Sequence, residues 1–426
     1  MHHNPFANVY LILHHENPYN IGTMKTDIAL NDGIAQGWGE DIFPKLSWWK
    51  RQKVQGCRVM VVGCGALGNE VLKNLALFGV GHLVLVDYDR VEQSNLTRSV
   101  LFTSEDARCG VPKVEAARRS ILSINPNIEV MALNADIGTD VGLGLIRRMD
   151  AVVACVDNRK ARYLLNRLCM RAGVPWVDGG IEGMEGVAKV FAPGKNCYAC
   201  TMEPSAWNDL RRSMSCHTLL RRDEQAHRVP TTPVVASVIG AVQAQEVLKL
   251  IHKEETERGE LTSLCGRMFY YEGQHLTSRL IEHRGWDDDC PVHERWEPIL
   301  RHSALTNHRT LSEALAELEN LLGEGATEII LRNQSWVDYV ERRSNGEKIL
   351  VKQPESKVAQ HLKEIHGEVY ADDYYQHEVR KLDMDFPYAD LTLHQLGIPD
   401  MDILHVRTSE GDRFVELEPA NETNIY

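Results

Sequence analysis

Residues 58–113 constrain this chain more than any other stretch. An apolar, β-branched run, Val59-Met60-Val61-Val62, reads as a buried parallel strand. It opens onto Gly63-Cys64-Gly65-Ala66-Leu67-Gly68, after which Val71, Leu72, Leu75 and Phe78 recur at helical spacing over residues 69–78. A second apolar run, Leu83-Val84-Leu85-Val86, ends in Asp87. Glycines let backbone approach a phosphate at a helix N-terminus, and an acid at the second strand end reaches a ribose hydroxyl. The expectation is an α/β, Rossmann-like fold with Gly63, Gly65, Gly68 and Asp87 around a nucleotide. NAD, FAD and ATP all use such a unit, so the glycines alone leave the nucleotide open.

The next residues narrow the choice. The chain reads Asp87-Tyr88-Asp89-Arg90-Val91-Glu92-Gln93-Ser94-Asn95-Leu96-Thr97-Arg98, then Gly110-Val111-Pro112-Lys113. A dehydrogenase needs no such cations beyond the ribose carboxylate, whereas nucleotidyl transfer needs them to neutralise phosphate charge. Asp-x-Asp-x-Val-x-x-Ser-Asn-Leu-x-Arg followed by Gly-x-x-Lys resembles the adenylation domain of the ThiF/MoeB/HesA and ubiquitin-activating superfamily, over residues 58–292. That resemblance implies ATP with Mg²⁺, Asp87 on the ribose, Asp89 and Asn95 in the nucleotide site, and Arg98 and Lys113 as catalytic cations on the phosphates. It also gives Asp157, in Asp157-Asn158-Arg159-Lys160-Ala161-Arg162 after the apolar run 149–155, the magnesium role. An Asp there also serves as a helix N-cap, and the two roles are compatible. The family's extra N-terminal arginine, in an Arg-Tyr-x-Arg-Gln-like motif, has no counterpart. Arg51 lies nearer the first strand than that pattern places it and reads as a surface residue; otherwise it serves in that role, another subunit does, or the role is filled differently.

Composition sets the frame. At 426 residues two or three domains are expected, and 43% hydrophobic with 25% charged residues describes a globular chain. A net charge of -13 argues against nucleic acid as partner, since phosphate backbones need a basic footprint. No run approaches 18 apolar residues and the start, with His and Asn before an apolar patch at 9–13, makes a poor signal peptide. Neither a membrane span nor secretion is expected. Ten cysteines spread through a long chain suit metal or catalysis in the cytoplasm better than a disulfide framework. His2, His3, His14 and His15 read as solvated or core residues, and residues 41–55 as a helix.

Cys197-Tyr198-Ala199-Cys200 pairs with Cys290-Pro291-Val292-His293 as two knuckles of a closed, structural Zn²⁺ site. The resembled family usually closes the second knuckle with Cys, so His293 is a departure, and Cys265 is an alternative fourth ligand. Asp178-Gly179-Gly180-Ile181-Glu182-Gly183-Met184-Glu185-Gly186 reads as a loop, and the resemblance places it near a protein substrate's Gly-ending tail. Cys216, among Arg211, Arg212, His217, Arg221 and Arg222, has the cationic setting that raises a thiolate fraction. It sits where the resembled superfamily carries its thioester cysteine, though in members that only adenylate a crossover cysteine is inert.

After residue 300, Leu311, Ala314, Leu315, Leu318 and Leu321 mark an amphipathic helix over residues 310–322. Strands at 328–331 and 348–352 flank a Ser344-Asn345-Gly346 turn, with a helix at 356–365. Residues 391–407 look like the closing turn and strand of a ubiquitin-like β-grasp; a plain α+β accessory domain fits as well. The expected organisation is an N-terminal extension (1–56), a zinc-stapled Rossmann-like adenylation domain (57–302) and a smaller α+β C-terminal domain (303–426). The expected function is ATP-dependent activation of a ubiquitin-like protein with a C-terminal Gly, thioester formation on Cys216 and transfer to a conjugating enzyme, in a homodimer. The rival keeps adenylation but serves sulfur transfer; an NAD-dependent dehydrogenase and a non-catalytic scaffold stand further off.

Overall fold

The computed structural model describes residues 43–214, 230–283, 285–323, 328–367 and 373–420. In chain order the first part contains α1 (Arg51–Gly56), β1 (Arg58–Val62), α2 (Ala66–Phe78), β2 (His82–Val86), α3 (Ser104–Cys109), α4 (Lys113–Ile124), β3 (Glu129–Leu133), α5 (Leu143–Arg147) and β4 (Ala151–Ala154). It continues with α6 (Arg159–Ala172), β5 (Trp176–Glu182), β6 (Glu185–Phe191), α7 (Pro204–Met214), α8 (Pro233–Ile251), α9 (Lys253–Glu257), β7 (Arg267–Glu272) and β8 (Thr277–Glu282). The strands form one eight-stranded sheet in the order β3-β2-β1-β4-β5-β6-β7-β8. From β3 to β5 the pairing is parallel, and from β5 to β8 antiparallel. Val59, Val61, Leu83, Leu85, Val153 and Val177 join α2, α4 and α8 in one core, while the intervening Met60, Val84 and Val152 are equally buried. Burial on both faces is why these strands read as unbroken apolar runs. The strand order turns back between β1 and β4, and the crevice at that switch point is where such sheets bind ligands.

The apolar α8 is, by length and composition, the described helix that qualifies as a membrane span, against the expectation that none would. Its packing explains its composition: Val235, Ala236, Ile239, Ala244, Val247 and Leu248 are buried in the core shared with α2. The expected helix at 41–55 shrinks to a single turn at Phe43–Lys45 and α1. Between them Trp48 and Trp49 pack on His252, whose Nε2 accepts the Lys50 backbone N–H at 3.0 Å, so ring packing and that bond replace helical ones. The stretch 178–186 is a hairpin of β5 and β6, turning at Gly183 in the left-handed region (φ 57°), and not a loop. Its glycines also let α8 lie close: a Cβ on Gly186 would meet Ile239 at 2.4 Å.

The C-terminal region is α+β. It contains β9 (Ile299–Arg301), α10 (Leu311–Leu322), β10 (Glu328–Ile330), β11 (Trp336–Arg342), β12 (Lys348–Pro354), α11 (Glu355–His366), β13 (Tyr374–Val379), β14 (Lys381–Leu382), β15 (Ile403–Thr408) and β16 (Gly411–Glu416). These make a five-stranded sheet, β14-β10-β15-β16-β9, and a three-stranded one, β12-β11-β13. Thr310 and Glu313 cap α10 reciprocally, and Leu311, Ala314, Leu315 and Leu318 bury against Ile329, Leu404, Val406 and Val415. The sheet begins ahead of residue 303 because β9 pairs in parallel with β16, and β15 is followed by β16 instead of closing the fold. Buried Glu416 on β16 takes ion pairs from Arg147 (2.8 Å), Arg301 (3.3 Å) and Arg148, and the Leu143 N–H donates to Asp402 at 2.9 Å, so α5 is bound to this region.

Candidate active site

The site is built at the C-terminal ends of β1, β2 and β4. Gly63 turns the chain out of β1 with φ 91°, and a Cβ there would meet the Cys155 carbonyl oxygen at 2.4 Å. A Cβ on Gly68 would stand 2.0 Å from the Gly63 oxygen, whereas one on Gly65 would point into open space. Gly65 caps α2 without a side chain, so the first N–H groups of that helix are available to an anion in the crevice. Asp87 closes the loop from below: its carboxylate accepts the Cys64 N–H at 2.7 Å and the Asp89 N–H at 2.8 Å. Burial pushes the Asp87 carboxyl up from its ordinary range, opposed by the Lys113 ammonium and those two N–H groups. Asp89 in turn holds Lys113 Nζ at 2.6 Å. Asp87, Asp89 and Lys113 therefore form one connected set.

Asn69 escaped the sequence reading. Fully buried, it donates to the Cys64 oxygen at 2.7 Å and the Gly65 oxygen at 3.0 Å, and accepts the Leu101 N–H at 2.7 Å. It ties the glycine loop to the segment carrying Asn95 and Arg98. Asn95 Oδ1 caps the Glu92 N–H at 2.9 Å, and Arg98 Nη1 donates to the Ser94 carbonyl at 2.8 Å. An Asn after the last glycine of the motif was the available signal, but its partner lies 32 residues away.

Asp157 stands beyond β4. The N-cap of α6 is Asn158, whose Oδ1 accepts the Ala161 N–H at 2.8 Å, so Asp157 is not needed as the cap. Its Oδ1 accepts from the Asn158 amide at 3.1 Å. The phenol of Tyr88 is pushed up to about 12, first by its partial burial and then by Asp89, Asp136, Asp157 and Asp87. Asp136, not foreseen, is itself raised from its ordinary value by burial. Carboxylate oxygens are the donors a hard divalent cation such as Mg²⁺ takes, so Asp157 is a residue that could hold one. Arg162 braces the far wall, donating to Asp178 at 2.8 Å and to the Val156 and Gly179 carbonyls at 2.7 and 2.9 Å.

The two knuckles come together. One ligand atom from each of Cys197, Cys200, Cys290 and His293 lies within 4.8 Å of the others, with Cys200 Sγ 3.2 Å from His293 Nε2. Trp286 stacks on the His293 ring at 3.4 Å, and Asn166 donates to Cys197 Sγ at 3.1 Å. Three thiols and an imidazole at this spacing fit tetrahedral Zn²⁺. Cys265 is elsewhere, donating to Asn196 Oδ1 at 3.2 Å, which removes it as the alternative ligand. Cys216 lies outside the described residues. Burial raises the thiols of Cys57, Cys64, Cys155, Cys169 and Cys265, and a hydrogen bond to Glu105 raises that of Cys109, so none of these has an activated thiol.

The ThiF family model matches residues 38–292. The SAMP-activating enzyme E1 of Haloferax volcanii is 35% identical over 239 residues, covering 55% of this chain and 79% of that protein. The adenylyltransferase and sulfurtransferase MOCS3 of Drosophila willistoni is 32% identical over 273 residues, 64% of this chain, and the chain spans only 55% of that protein's length. The E. coli MccB crystal structure with succinimide covers 57% of this chain and 68% of its own at 26% identity and a TM-score of 0.47. The chain belongs to the ThiF family, within the ThiF/MoeB and E1-like superfamily.

Proposed function

We propose that this chain is an ATP-dependent adenylyltransferase that activates the C-terminal carboxylate of a ubiquitin-like or sulfur-carrier protein. The connected set of Asp87, Asp89 and Lys113 under the glycine loop carries the reading, because it pairs a ribose acid with a phosphate-binding cation. Asp87 takes the ribose hydroxyls, and the first N–H groups of α2 and the side chains of Arg98 and Lys113 take the phosphates. The substrate carboxylate oxygen attacks the α-phosphorus. A carboxylate–phosphorus bond forms, the bond to the bridging oxygen breaks, and pyrophosphate leaves with its electron pair. Asp157 would hold Mg²⁺, which when bound would help neutralise the charge on the departing pyrophosphate. The Cys197–Cys200–Cys290–His293 set holds Zn²⁺ for stability, away from the chemistry.

Two fates of the acyl-adenylate have equal support. In the first, Cys216 takes the acyl group as a thioester and passes it to a conjugating enzyme docked on the C-terminal region, read as ubiquitin-fold-like; the mixed five-stranded sheet under α10 supports that reading. The name of the Haloferax relative, an activating E1, favours it. In the second, the adenylate is used for sulfur transfer, as the name of the Drosophila relative has it. One adenylation unit per chain makes a homodimer our expected assembly. Incubation with ATP, Mg²⁺ and ubiquitin-fold proteins ending in Gly-Gly, followed by non-reducing electrophoresis, separates the fates. A DTT-sensitive adduct lost in Cys216→Ala establishes the thioester route. Adenylate without an adduct establishes the other.

A further inference from the structure

One cation at the crevice has no role in the account above. Lys189 on β6 stands opposite Asp178 on β5 in the antiparallel register, so both side chains leave the same face of the sheet. Asp178 is 3% exposed and already accepts from Arg162 Nε. Arg162 also donates from Nη2 to the carbonyls of Val156, which directly precedes Asp157, and of Gly179. Lys189 therefore borders the wall that carries both Asp157 and the β5–β6 hairpin. Among the described residues its ammonium makes no hydrogen bond or ion pair. It is half-buried beside the Asp178 carboxylate: burial lowers its basicity, Asp178 opposes that shift and Arg162 adds to it. An ammonium in this condition is the group an incoming anion satisfies.

The sheet order says which anion. Lys113 and Asp89 lie beyond β2, on one side of the glycine loop, where the phosphates are served. Lys189 lies on β6, on the other side, with β1, β4 and β5 between. Attack on a triphosphate by a carboxylate brings two anions together, and the repulsion must be offset on the nucleophile's side as well. We propose that Lys189 receives the C-terminal carboxylate of the protein substrate and holds it for attack on the α-phosphorus, the tail entering over the β5–β6 hairpin. This rests on the adenylation reading.

The test uses the full chain, with a panel of ubiquitin-fold proteins ending in Gly-Gly and ATP–pyrophosphate exchange, varying ATP and protein substrate separately. Lys189→Met should raise the KM for the protein substrate by about tenfold or more, the scale of a lost charge-assisted hydrogen bond. The KM for ATP should hold within about twofold, because the phosphate cations are untouched. Lys189→Arg should restore most of the loss. An unchanged KM for the protein substrate in Lys189→Met overturns the assignment, and so does an equal loss of ATP affinity, which would mark a collapsed crevice. If the unaltered chain exchanges with no panel member, the adenylation reading itself falls and takes this inference with it.

Discussion

Gly65 and Gly68 sit three residues apart and should respond oppositely to the same change. Gly65→Ala places its methyl in open space, so the melting temperature should stay within about 2 °C while ATP binding weakens where phosphate and backbone would meet. Gly68→Ala drives a methyl to 2.0 Å from the Gly63 oxygen, and should cost about 2–4 kcal/mol of stability, read by urea unfolding. Asp89→Asn tests positioning: the Asp89–Lys113 pair is half exposed on the Asp side, so stability should change by less than about 1 kcal/mol. Exchange should nevertheless fall, because Lys113 loses the group that aims it. Gly63, Gly65, Gly68 and Asp87 were legible because they answer to local backbone demands. Arg162 was legible as the end of the Asp157–Arg162 motif, but Asn69 and Lys189 were not, because each is defined by a residue elsewhere in the chain, Leu101 and Asp178.

Among the elements, those read well have one-dimensional signatures. The runs that became β1, β2 and β4 are buried on both faces, and α10 carries both an apolar stripe and a Thr310–Glu313 capping box. Misreadings came where tertiary contacts decided. Glycines at 179, 180 and 186 suggested a loop, but they are strand residues kept small where α8 and Arg162 approach. The helix expected at 41–55 lost to packing of Trp48 and Trp49 on His252. The knuckles were legible from spacing alone, and they join segments that follow β6 and β8. One zinc per chain by elemental analysis is expected, and Cys290→Ser should lower the melting temperature by several degrees while leaving exchange measurable well below it.

At the scale of the whole molecule, the C-terminal region is fastened to α5 through Glu416 and Asp402. Burial pushes the Asp402 carboxyl up to about 6 from its ordinary value of 3.8, against the N–H bonds of Leu143 and Ile403. The folded state thus holds that proton more tightly than the unfolded chain does. The resulting stability is fully present below 3.8 and is lost as pH rises through about 6. Asp402→Asn removes the dependence. Relative to the unaltered chain it should gain stability between pH 4 and pH 7, by up to about 3 kcal/mol, as measured by urea unfolding at the two pH values.

ATP–pyrophosphate exchange by the full chain tests the central claim most directly, with ubiquitin-fold proteins ending in Gly-Gly and with the same proteins lacking the final Gly. The account predicts exchange that requires the intact C-terminal Gly and falls by about a hundredfold or more in Asp157→Ala. Exchange indifferent to the protein tail, or unaffected by Asp157→Ala, would contradict it.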